Sequence, residues 1–246
     1  MISLSVKSNL DTAIRQMWWM HPDAVKLAAA KALTFTALAI RDAEKAEMQR
    51  VFDRPTPFTL NSLYVKTATP IALTARVWFK GIRGDWHYLI PQVEGGDRRL
   101  KMFEKHLQRA GILPVGMFVV PGAGLKLDQY GNIPGGKIVQ LLSAVQALPE
   151  VGYLANKSRR RGARRNRKTD NIFAGRPHPG MPLGVWQRSL SGLKPLIVFV
   201  KRPQYRKRFD FYGIARNVAE REFNNQFLRA LRSASSAVGV PLAAAA

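Results

Sequence analysis

The stretch Gly131-Asn-Ile-Pro-Gly-Gly136-Lys137-Ile138 has the spacing of a phosphate-cradling loop: two glycines bracket four residues, with a lysine behind them. Such a loop turns backbone amides and a lysine towards a triphosphate, but it also needs a Ser or Thr hydroxyl for magnesium where Ile138 stands. The residues ahead of it, Leu125 to Tyr130, do not read as the buried strand that must feed such a loop, and no later apolar run ends in the required aspartate. The stretch reads as a Gly/Pro turn opening a helix. Other chemistries are as thinly supplied. No Cys means no thiol nucleophile and no disulfide. His21, His87, His106 and His178 are scattered, so no zinc site and no other metal or cofactor is expected. The close carboxylates, Asp42/Glu44, Glu44/Glu47 and Glu220/Glu222, fall on expected helices. There solvated charge is their ordinary role, although Glu44 and Glu47 share a face. A two-metal site needs several converging carboxylates, and no catalytic set is assembled.

The remaining chemistry is charge. The 246 residues carry 39 Lys+Arg against 16 Asp+Glu, a formal net charge of +23. Eight of those cations lie in the twelve residues KSRRRGARRNRK: Lys157, Arg159, Arg160, Arg161, Arg164, Arg165, Arg167 and Lys168. The excess outside that run is still +15, so the body is basic as well as the run. A surface so charged repels itself and favours a polyanion or an acidic protein neighbour. The run has three readings: contact with a nucleic-acid backbone through counterion release, ordering against an acidic subunit, or a solvated loop. No aromatic residue within it could stack on a base, and no recognition-helix pattern accompanies it, so any nucleic-acid contact is expected to ignore sequence.

Several elements must position these groups. Pro22 to Phe52 reads as one long helix. Pro22 suits the first turn, and Leu27, Ala30, Leu33, Ala37 and Ile40 recur at three and four before the charged stretch Arg41 to Arg50. Its first half is expected to be buried and its second half more exposed. Asn61 to Thr69 and Ile71 to Lys80 read as a hairpin, with Leu73, Ala75, Val77 and Phe79 on one face. Asp97 to Ala110 and Pro134 to Leu148 read as short helices, and Met117 to Val120 as a short strand. Asn171 to Ser191 is Gly- and Pro-rich, with short strands expected around Ile172 and Val185. Pro195 to Lys201 is the best buried-strand candidate. Phe209 to Ser233 reads as a closing helix, with Ala215, Ala219, Phe223, Phe227 and Leu231 spaced by four. The fold class is therefore α+β, with the N-terminal and C-terminal helices packed on a small, mostly antiparallel sheet and Leu33, Ile40, Val198, Phe223 and Phe227 in the core. The most apolar run, Leu27 to Ile40, is 14 residues and contains Lys31, short of the ~20 that span a bilayer. Residues 1–21 lack the apolar block of a signal peptide.

Longer phrases carry a resemblance. Ala43 to Lys80, with Arg50-Val-Phe-Asp-Arg-Pro-Thr-Pro-Phe-Thr-Leu-Asn-Ser-Leu, resembles a recurring segment of tailed-bacteriophage virion proteins. So do Leu89-Ile-Pro-Gln-Val-Glu-Gly-Gly-Asp-Arg-Arg-Leu through Gly111-Ile-Leu-Pro, Lys126-Leu-Asp-Gln-Tyr-Gly-Asn-Ile, the Arg-rich loop and Pro203 to Tyr212. The layout is similar to minor tail protein Z and to tail-completion, or neck, proteins. The resemblance implies one α+β domain over 1–246. It would comprise an arm (1–21), a long helix (22–52), sheet and short helices (53–150), a basic extended loop (151–194), and a strand with the closing helix (195–240). It also implies a non-enzymatic structural part of the virion, a homo-oligomeric ring, six-fold before twelve-fold. The ring would join connector and tail proteins around the channel DNA, with no membrane partner. The rival expectation is a sequence-independent nucleic-acid-binding protein for packaging or genome condensation.

Overall fold

The computed structural model describes residues 22–81, 87–148 and 171–237, the last four without side chains. In chain order the elements are α1 (Pro22–Val51), α2 (Pro57–Leu60), β1 (Leu63–Lys66), β2 (Arg76–Phe79), α3 (Ile90–Val93), β3 (Gly96–Asp97) and α4 (Met102–Arg109). Then follow β4 (Met117–Pro121), α5 (Gly135–Ala144), β5 (Ile172–Gly175), β6 (Gly184–Ser189), β7 (Gly192–Lys201), β8 (Gln204–Tyr205) and α6 (Phe211–Ala237). The fold is α+β, as the patterning indicates. The chain, expected as one domain, divides into two compact units, residues 1–94 with 207–246, and residues 95–206.

The first unit is built on α1 and α6. At 30 residues α1 is ~45 Å long, and Pro55 lies just past its end, where a ring without N–H could not have continued it. Alanines at the contact let the two helices approach closely: Ala28, Ala32 and Ala215 are fully buried. The first half of α1, with Val25, Ala29 and Leu33, meets Phe223, Phe227, Ala230 and Leu231 of α6. Its second half, through Ile40 and Met48, meets Phe209, Phe211 and Val218 and the inner face of the β1–β2 hairpin, Leu63, Val77 and Phe79. The second half is the more exposed, as expected: from Arg41 to Val51 only Glu44 and Met48 are buried. Ile40, Glu44 and Met48 continue one stripe at a spacing of four and are all buried, and the carboxylate in the stripe hides it from an apolar pattern. The hairpin is antiparallel, pairing Leu63 with Phe79 and Lys66 with Arg76. Leu73, expected on its inner face, is exposed because the strand starts only at Arg76.

The second unit is a four-stranded antiparallel sheet in the order β4-β7-β6-β5, with α4 and α5 packed over it. Leu107, Leu141 and Leu142 of the helices meet Val119, Val185, Ile197 and Phe199 of the sheet. β7 lies between two strands, and Pro195 is accommodated next to a bulge at Val185/Trp186, where a missing N–H costs least. Here Val198 corrects the expected core. It is half-buried and belongs to this sheet, because side chains alternate along β7 and Ile197 and Phe199 take the covered face. The stretch 151–194, expected as a basic extended loop, holds β5, β6 and the start of β7 from residue 172 onward, with the strands near Ile172 and Val185 where the sequence put them. α4 begins at Met102, five residues later than expected, because Asp97 is drawn into β3.

Candidate basic interface

The basic run, Lys157, Arg159, Arg160, Arg161, Arg164, Arg165, Arg167 and Lys168, lies outside the described residues. The described chain ends at Leu148 and resumes at Asn171, both in the second unit. The rest of the charge is spread over both. The first unit has 18 Lys+Arg against 11 Asp+Glu, and the second, outside the run, 13 against 5.

Within the first unit the hairpin carries cations with no acid beside them in the sequence. Strand alternation puts Leu63, Val65, Val77 and Phe79 against the helices, so Tyr64 and Lys66 of β1 and Arg76 and Trp78 of β2 share the outer face. Tyr64 is paired across the strands with Trp78, their ring centroids 4.7 Å apart and tilted by 55°. Tyr64 is 47% exposed and Trp78 half-buried, while Lys66, Arg76 and Lys80 are exposed. None of these three cations makes an ion pair among the described residues, whereas Arg41, Arg50, Arg98, Arg202 and Lys207 all meet a carboxylate. The cause is in the sequence: no Asp or Glu occurs from Arg54 to Gly84. Beside the hairpin, Phe58 stacks on Tyr88 at 6.2 Å, and the Tyr88 hydroxyl donates to Thr59 Oγ1 at 3.2 Å.

In the second unit the strongest electrostatic group is structural. Arg98 donates through both Nη atoms to the fully buried Glu104, at 2.7 and 2.6 Å, and lies over the Phe118 ring. Glu104 also accepts from the amides of Lys101 (2.6 Å) and Val119 (2.8 Å). Burial alone would push this carboxyl up, but the Arg98 guanidinium and the two amides hold it below the usual carboxylate range. The pair thus stands where a further strand would pair, taking the Val119 amide on the outer edge of β4.

The phosphate-loop look-alike resolves as the sequence reading expects of a turn. Leu125 to Tyr130 forms no strand, Lys137 sits in the first turn of α5, and its Nζ donates to Gln140 of the same helix at 3.0 Å. An open cleft of about 350 Å³ is lined by His106, Arg109, Gln146 and Leu148, with no carboxylate among the described residues that line it. Among the described residues, no three His, Cys, Asp or Glu stand close enough to share a metal ion.

Besides Glu104, two buried titratable groups go unmarked by the sequence pattern. Glu44, expected as solvated helix charge, is fully buried in α1, and neither carboxyl oxygen has a hydrogen-bond partner among the described residues. Burial, reinforced by the charges of Asp210 and Glu47, pushes it up to about 9, so it is protonated at neutral pH. His87 stacks flat on Phe79, with centroids 4.8 Å apart, its Nδ1 accepting from the Leu89 amide; burial lowers it to about 4. The four-residue spacing Ile40-Glu44-Met48 was the signal available for Glu44; nothing local marks His87.

No family model, no curated protein and no solved structure matches this chain.

Proposed function

We propose that the chain is a structural component of a tailed-phage virion, placed in the neck or upper tail, where it joins head connector to tail as a homo-oligomeric ring around the DNA channel. The observation that carries the reading is the charge excess in both compact units, 18 against 11 and, even without the basic run, 13 against 5, which calls for acidic neighbours over the whole body. The long helices add to it. Leu27 and Phe35, eight residues apart on α1, and Leu228 on α6 are 40%, 51% and 50% exposed, apolar groups of the sort that subunit contacts cover. The resemblance of the Arg50-to-Leu63 and Leu89-to-Leu100 phrases to virion proteins supplies the particle. No helix among the described residues is long and apolar enough to cross a membrane.

The second reading is a sequence-independent nucleic-acid-binding protein for packaging or condensation, favoured by the cations beside Tyr64 and Trp78 on the hairpin, which have no ion-pair partner among the described residues. Sizing by light scattering with and without DNA separates the two. A ring of six, or of twelve, formed by the protein alone supports the first. A monomer that assembles only on DNA supports the second and removes the ring.

A further inference from the structure

We infer that the outer face of the β1–β2 hairpin, with Tyr64 and Trp78 flanked by Lys66, Arg76 and Lys80, is a docking surface for single-stranded nucleic acid. Two half-open rings on one sheet face offer what an unpaired base stacks on, and cations two residues away along each strand meet the phosphates that accompany it. The rings are held for the purpose. Tyr64 and Trp78 occupy one cross-strand pair, and the opposite face of the same two strands is locked into the core by Leu63, Val77 and Phe79. The platform therefore needs no rearrangement to accept a base. Charge selects the occupant: the face carries Lys66 and Arg76, and Lys80 stands in the turn that follows β2, all three without an ion-pair partner among the described residues, and Arg54 to Gly84 contains no acid. A duplex would use the cations but not the rings, since its bases are already stacked, and an acidic protein would leave the rings without a π partner. The inference does not rest on assembly into a particle, so either can fail without the other.

The test is binding of a twenty-nucleotide oligothymidylate by the full chain, measured by fluorescence anisotropy across a salt series. It is repeated in a chain whose eight Lys and Arg within 157–168 are Ser, so that their attraction does not mask the face. Tyr64→Thr with Trp78→Thr, both good strand residues, is expected to lower affinity ~10- to 100-fold while changing duplex affinity by less than about 3-fold. Tyr64→Phe with Trp78→Phe, which keeps two rings, restores single-strand binding to within about 3-fold of the parent. Lys66→Gln with Arg76→Gln flattens the salt slope by ~1.4, at ~0.7 per phosphate on a single strand. A folded Thr pair that binds oligothymidylate like the parent overturns the inference. So does displacement by polyglutamate that is equally effective in parent and Thr pair, which would show a face reading charge alone. Should the Thr pair not fold, an unchanged salt slope in the Gln pair overturns it instead.

Discussion

Glu44 and His87 set opposite flanks of a pH profile for the first unit. Glu44 is raised from 4.5 to about 9, so the folded state keeps a proton that the unfolded chain releases above pH 4.5. Its contribution is full below that value and drains away as pH rises towards 9. His87 is lowered from 6.5 to about 4, so its contribution is present above pH 6.5 and lost as pH falls through 4. On these two groups the unit is most stable between about pH 4.5 and 6.5. Urea midpoints against pH should show both limbs, with Glu44→Gln flattening the alkaline one and His87→Phe the acid one. Since neither Glu44 oxygen has a partner among the described residues, Glu44→Met is expected to stabilise by ~1–3 kcal/mol at pH 8. A destabilisation there would mean that the carboxyl has a partner after all. Glu104 is the contrasting case. Every oxygen is satisfied, and Glu104→Ala strands the Arg98 guanidinium and two amides, a loss of ~3–5 kcal/mol. A loss below ~1 kcal/mol in the same melts would contradict its role at the β4 edge.

Among the elements, the closing helix was the most legible. Its positions 215, 219, 223, 227 and 231 repeat every four residues and all five are buried. Phe223→Ala should cost ~3–5 kcal/mol, read from denaturant melts, because its ring stacks on Phe227 at the junction with α1. A cost under ~1 kcal/mol would move that face from the core to the surface. The first helix was legible in extent and in the greater exposure of its second half, but not in the burial of Glu44, because an apolar period cannot show a protonated carboxyl standing in for a hydrophobe. The strand at Pro195 was legible as a strand but not as one-sided: which of Ile197 and Val198 faces the core depends on register against β4 and β6, set by long-range pairing. The Arg98–Glu104 pair left no trace in the sequence because its target, the free edge of β4, exists only once the sheet forms. The hairpin's outer face lies between. Its aromatic and basic residues are visible in the sequence, but their coincidence on one face needed the pairing of Tyr64 with Trp78.

At the scale of the whole molecule the charge decides. Replacing Arg159, Arg160, Arg161, Arg164 and Arg165 by Ser leaves a net charge of +18, still strongly basic, so the fold should survive. If the run meets duplex DNA through five to eight phosphates, log affinity should fall with log salt at a slope of about −4 to −7, and the variant should lose most of that slope. If it meets acidic subunits, assembly should fail while DNA binding by the remaining surface persists. A variant that binds DNA and assembles like the parent would reduce the run to a solvated loop. The central claim, that the chain is built into a particle, is tested most directly by quantitative mass spectrometry of purified virions from cells producing this protein. The account predicts the chain in intact particles at a fixed copy number, six for a single ring or twelve for the larger one, retained after nuclease treatment and high-salt washing. Its presence in the lysate but absence from washed particles would contradict the claim.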